Sequence, residues 1–170
     1  MIVDLADQMS ITSAVMYCDY DRMKKSVGVT SGCFDALHYY HLVYLMRCAQ
    51  QCEILVVGVD SDRKIRAEKG ELRPIVNERH RLTMVNALKC VDACFILDDL
   101  DQFGEMCTTF IGPRTPEKSF VFRNQEWIGK EHEVVVGKTQ AQVVIVPDIE
   151  ELTSTSDMIK HIQKQARVKP

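Results

Sequence analysis

The 170-residue sequence has no apolar run approaching the roughly 20 residues that a membrane-spanning helix needs. Its opening stretch, MIVDLADQMS, carries acids where a secretory signal carries a basic region, so a soluble cytoplasmic protein is expected. Excess positive charge is missing as well. The 21 Lys and Arg against 24 Asp and Glu leave a net charge of −3, which lacks the broad basic field of a non-specific nucleic-acid binder. The CxxC spacing of zinc ribbons is absent, because Cys48/Cys52 and Cys90/Cys94 are CxxxC pairs with no further ligands nearby. All seven cysteines, an odd number scattered through predicted strands and helices, therefore read as reduced thiols of a reducing compartment. Two glycine-rich phosphate signatures are lacking too. There is no GxxxxGK[ST], and Gly28-Val29-Thr30-Ser31-Gly32 is not a GxGxxG fingerprint, which argues against a P-loop kinase and a hydride-transfer enzyme.

What is present is an average globular composition, 46% apolar and 26% charged, in a chain long enough to bury roughly 70% of its unfolded surface in one core. Helix-like apolar spacing from Leu5 to Lys25 predicts a leading helical segment over residues 1–25, ahead of one α/β domain over 26–170. The run from Ser26 to Ser31 predicts a first strand, and His41 to Gln51 a helix. The six residues Ile54 to Val59 lack alternation and predict a strand buried on both faces. A charged loop is expected from Asp60 through Pro74, then a helix from Asn77 to Lys89. Further strands are expected at Ala93–Leu97, Ser119–Arg123 and Val143–Val146, and helices at Leu100–Phe110 and Ser154–Gln165. Val134–Val136 fits either a strand or the end of a helix opening near Trp127. Short buried strands alternating with helices predict a three-layer, doubly wound Rossmann-like sheet of about five parallel strands.

In such sheets ligands collect beyond the carboxyl ends of the strands. The turn after the first strand, Gly32-Cys33-Phe34-Asp35-Ala36-Leu37-His38-Tyr39-Tyr40-His41, holds the strongest signal. Two histidines three residues apart share one face at a helix mouth, where free N–H groups and the positive end of the dipole suit a polyphosphate. Capping histidines, or a metal pair completed by Cys33 or Asp35, are the alternatives that the residues alone leave open.

The same ten residues resemble the GxFDxxHxGH element of the cytidylyltransferase-like nucleotidyltransferases. Further stretches match in order: Ser61-Asp62, the KGxxRPxV run from Lys69, Arg81 ten residues before Val91-Asp92, and Ser154-Thr155 opening an STxxxIKxI run. The resemblance covers roughly residues 25 to 165. It is strongest to bacterial heptose 1-phosphate adenylyltransferases, then to glycerol-phosphate and phosphoethanolamine cytidylyltransferases. It implies transfer of a nucleotidyl group from ATP or CTP to a small sugar or alcohol phosphate, with magnesium on the triphosphate and a homodimeric assembly. By that resemblance His38, His41 and Lys69 are catalytic. Gly32, Cys33, Phe34, Asn124, Glu126, Trp127, Ser154 and Thr155 join the histidines around the nucleotide. Asp35, Asp62, Lys69 and Arg81 fall near the phosphorylated acceptor, and no dedicated metal ligands are implied. A phosphate monoester is largely dianionic near pH 7 and needs no general base, so position and charge are expected to do the catalysis. Three motif glycines are replaced, by Tyr40, by Asn124 or Gln125, and by Leu152. Either Tyr40 turns away and the pocket is reshaped, or ordinary triphosphate binding is lost; the alternative function is a catalytically impaired nucleotide-binding or assembly protein of the same fold.

Overall fold

The computed structural model describes residues 1–3, 25–134, 136–147 and 155–166. In chain order the elements are β1 (Ile2–Val3), β2 (Val27–Gly32), α1 (Tyr39–Ala49), β3 (Ile54–Asp60), α2 (Asp62–Lys69) and α3 (Glu78–Asn86). There follow β4 (Ala93–Leu97), α4 (Leu100–Ile111), β5 (Ser119–Asn124), β6 (Gln142–Val146) and α5 (Thr155–Ala166). The strands form one sheet in the order β1-β4-β3-β2-β5-β6, every pair parallel. The expected Rossmann-like arrangement is therefore present, with a sixth, two-residue strand added at the edge beside β4. The leading helix expected over Leu5–Lys25 lies almost wholly outside the described residues.

Hydrophobic burial explains the layers. All seven residues of β3 are buried, as its unbroken apolar run requires. On one face Val27, Val29, Phe95 and Val121 pack against Phe103 and Phe110 of α4; on the other Leu55, Val57 and Phe122 pack against Leu45 of α1 and Leu82 and Val85 of α3. Each such side chain, taken out of water, contributes about 1.5–3 kcal/mol.

The region expected as a loop after Asp60 is helical from Asp62 to Lys69. Ser61 caps it, its Oγ accepting from Lys64 N, and Ile65 anchors it in the core, a local signal that the charge density of DRKIRAEK masks. Near Trp127 there is no α-helix; 3-10 turns span Gln125–Trp127 and Glu131–Glu133. Val134 is buried beside the α4 face without joining a strand. Cys48 and Cys94 are buried, Cys52 and Cys90 only partly, and all four are free thiols.

The sheet reverses its winding between β2 and β5, and there the ladder is incomplete. β2 pairs with β3 over all six residues, Val27↔Ile54 to Gly32↔Val59, but with β5 only over Val27↔Ser119 to Val29↔Val121. Beyond Val29 side chains bridge the parting strands. Thr30 Oγ1 donates to Phe122 O at 3.0 Å, and Arg123 Nη1 donates to Ser31 Oγ at 2.8 Å. A crevice opens at this switch point, where open α/β sheets bind ligands.

Candidate functional site

The turn leaving β2 is tightly wound. Phe34 and Ala36 hold φ of 47° and 48°, left-handed values that side-chain-bearing residues adopt only when their surroundings impose them. Phe34 is 2% exposed, and its ring meets that of His41 edge-on at 5.4 Å. Asp35 is 1% exposed and serves as a hub. Its carboxylate accepts from Arg73 Nε at 2.7 Å, from Ile75 N at 3.0 Å and from Val76 N at 2.9 Å, which ties this turn to the segment after α2. Burial pushes the Asp35 carboxyl up, yet the two backbone N–H groups and the guanidinium outweigh it and hold the group below the usual carboxylate range.

His38 is the N-cap of α1, and its side chain makes no capping hydrogen bond to the first turn of this helix. Its ring lies on that of His41, centroids 4.0 Å apart and planes 28° from parallel. Thr155, at the start of α5, donates its hydroxyl proton to Asp35 O at 2.9 Å. In the 3.1 Å contact between Thr155 Oγ1 and His38 Nε2 the ring nitrogen must then be the donor, which assigns the Nε2–H tautomer. His41 Nδ1 is buried without a partner among the described residues. Burial, the neighbouring His38 and Lys69 bring His41 down to about 3, and burial lowers His38 as well. Both imidazoles are thus neutral in the empty site at pH 7; His38 spends its one N–H on Thr155, and His41 has one N–H to donate.

These rings face a cavity of about 790 Å³, whose wall also carries Gly32, Cys33, Phe34 and Asp35. Lys69 reaches the same wall from the end of α2, not from a loop, and is exposed. Asn124, Glu126 and Trp127 form the β5 side, and Thr155 and Ser156 the α5 side. Burial pushes the Cys33 thiol up, so it is no ready nucleophile.

Tyr40 does not turn away. It is half-buried on the cavity wall, with its ring 6.2 Å from that of His38 and 6.5 Å, edge-on, from that of His41. The cavity stays open beside it.

Two expected acceptor residues stand behind the wall instead of on it. Arg81 has no exposed surface; it donates from Nη1 to Cys33 O at 2.6 Å, from Nη2 to Asp62 Oδ1 at 2.8 Å and from Nε to Val76 O at 2.8 Å. Its position on α3 places the guanidinium under the turn, so Arg81 and Asp62 position the site and do not line it. Ser154 and Leu152 lie outside the described residues.

Several wall residues escaped the sequence reasoning: Arg73, Tyr44, the Asp60–Lys64 ion pair at 2.5 Å, and Arg123. Arg123 carried a findable signal, a charge closing the otherwise apolar strand SFVF at its carboxyl end. It is 4% exposed, with Phe103 and Trp127 rings 4.2 and 5.2 Å from its guanidinium carbon.

Comparison with known proteins agrees with this geometry. Residues 29–164 match the model of the Cytidylyltransferase-like family. The chain is 31% identical over 156 residues to the bifunctional protein HldE of Helicobacter acinonychis, covering 92% of this chain and 31% of that protein. It is 33% identical over 144 residues to HldE of Helicobacter pylori strain J99, covering 85% and 29%. The chain thus spans about a third of the length of these curated relatives. A crystal structure titled as the lipopolysaccharide core biosynthesis protein of Thermoplasma volcanium superposes with a TM-score of 0.59 at 20% identity, covering 74% of this chain and 99% of that one, which shows the shared fold. A paired-imidazole turn at the switch point, set in a match that runs from β2 to α5, places this chain in the Cytidylyltransferase-like family.

Proposed function

We propose that the chain is a nucleotidyltransferase that moves a nucleotidyl group from ATP or CTP to a small sugar or alcohol phosphate and releases pyrophosphate. The observation that carries this reading is the stacked His38–His41 pair at the mouth of α1, facing an open cavity with Lys69 on the same wall. Such a reaction forms a bond from an acceptor phosphate oxygen to the α-phosphorus and breaks the bond from that phosphorus to the β-bridging oxygen. The acceptor dianion needs no base. What the site must supply is charge stabilisation on the leaving pyrophosphate and neutralisation of two approaching anions. His41 would donate a hydrogen bond to the triphosphate tail, and His38, whose Nε2–H is held by Thr155, would donate from Nδ1 on taking up a proton. Lys69, exposed at the end of α2, would lie between the reacting phosphates. Asn124, Glu126 and Trp127 would surround the base.

Magnesium would arrive on the triphosphate and neutralise part of its charge. An ion carried by substrate fits this wall: Asp35 accepts from Arg73 and two N–H groups, and one oxygen of Asp60 is held by Lys64. The expected homodimer and cytoplasmic location belong to the same reading; sedimentation velocity tests the first.

The experiment is pyrophosphate release with each NTP against a panel of phosphomonoesters. Release with one pair, lost in His41→Ala by at least about a hundredfold, supports the reading; silence across the panel rejects it. Tyr40 on the cavity wall favours a second reading, a nucleotide-binding protein without turnover. Calorimetric NTP binding with no pyrophosphate under any pairing selects that one.

A further inference from the structure

Arg123 is a buried cation of the cavity wall that keeps two hydrogen-bond donors unpaired among the described residues, its charge met only by aromatic rings and by Asp60 at a distance. It is more than nine-tenths buried, and Nη1 donates to Ser31 Oγ at 2.8 Å. Nε and Nη2 are buried and have no hydrogen-bond partner among the described residues. No carboxylate forms an ion pair with it there, and Asp60, on the same wall, is engaged by Lys64. Buried donors are ordinarily paired, and an unpaired buried guanidinium has a free-energy cost that an arriving oxyanion removes. The planar N–H fork of arginine matches a phosphate, which can take two parallel hydrogen bonds from it.

We propose that Arg123 is a specificity-determining residue for the acceptor, its guanidinium receiving the phosphate of the phosphomonoester at the crevice between β2 and β5. The assignment rests on the nucleotidyl-transfer reading for the name of its ligand, but not for its geometry. The strand places it well. Arg123 is the penultimate residue of β5, beside the end of β2, where the β2–β5 ladder has already parted. Trp127, on a one-turn 3-10 element, lies over the guanidinium at 5.2 Å, and both residues line the cavity. Phe103 behind it belongs to the core and fixes the opposite face. A hydroxyl-only ligand would pair the donors and leave the charge unmet, whereas a phosphate meets both.

Trp127 is the only tryptophan in the sequence, so intrinsic fluorescence reports on the ring that covers Arg123. The full chain is titrated with inorganic phosphate, glycerol 3-phosphate and a hexose 1-phosphate, each with and without a non-hydrolysable NTP analogue. The expected result is a saturable change in emission with at least one ester. Its dissociation constant rises at least tenfold in Arg123→Gln and partly recovers in Arg123→Lys, while calorimetric affinity for the NTP analogue stays within about twofold. No response to either ester in the unaltered protein overturns the assignment, as does ester binding unchanged in Arg123→Gln, or a loss confined to the NTP analogue. Should Arg123→Gln fail to fold by circular dichroism, Arg123→Lys decides by the same constants, which a purely structural arginine would leave unmoved. Ester binding through Arg123 without pyrophosphate release would reject nucleotidyl transfer and keep this assignment; pyrophosphate release with ester binding indifferent to Arg123 would do the reverse.

Discussion

His41 is the residue on which chemistry and stability meet. It titrates near 3 in the folded site against 6.5 for an ordinary histidine, so between those values the unfolded chain binds more protons than the folded one. Its contribution to stability is therefore present above pH 6.5 and is lost as the pH falls toward 3. Thermal unfolding followed from pH 7 to pH 4 should show a steeper decline in the unaltered protein than in His41→Gln; parallel curves would refute the assignment. A bound triphosphate reverses the balance, because a polyanion favours the charged imidazole. Nucleotide binding should then take up protons and tighten between pH 8 and pH 6, which calorimetry in buffers of different ionisation enthalpy measures directly. Tyr40 belongs at this scale too. Its ring occupies wall volume where the family motif has glycine, so Tyr40→Gly should tighten NTP binding by about three- to tenfold, roughly 1 kcal/mol; equal or weaker affinity would show that the ring is part of the site.

At the level of elements, the site is two segments tied to one turn. Asp35 joins the β2–α1 turn to residues 73–76, and Arg81 joins the same turn to α2 through Cys33 O and Asp62. Asp35→Ala would leave Arg73 and two backbone donors without their acceptor, and should cost about 3 kcal/mol in denaturant titration. The α2 helix is short, and its cap matters more for that reason. Ser61→Ala removes the Oγ that accepts from Lys64 N, with an expected loss of about 1 kcal/mol and a weaker hold on the far end, where Lys69 sits. Close approach governs a more distant contact: Gly137 has φ of 62°, and a Cβ there would fall 2.0 Å from Gly104 O of α4, so this loop can lie on the helix only as glycine.

For the whole molecule, a parallel sheet with one reversal of winding puts a single crevice at β2 and β5, and ligand binding there must stabilise the entire fold. With nucleotide at a hundred times its dissociation constant the gain is about 2.7 kcal/mol. For a domain of this size that amounts to a rise in Tm of roughly 5–10 °C. A melting temperature indifferent to both ATP and CTP at millimolar levels would contradict a nucleotide site in the cavity.

The sequence by itself determined the layer pattern, because runs such as ILVVGVD and SFVF can only be satisfied between two covering layers, and it marked the histidine turn, because a glycine turn after a buried strand is a local signal. It marked α2 poorly, since one buried Ile65 and a serine cap are faint against six charged neighbours. Tertiary structure alone decided which side of the wall each charge occupies. Arg81 and Arg123 are both arginines at element positions near the site, yet one is spent on Cys33, Val76 and Asp62 while the other keeps two donors unpaired. That difference depends on partners 19 and 48 residues away for Arg81 and 92 away for Arg123, separations that no local pattern records.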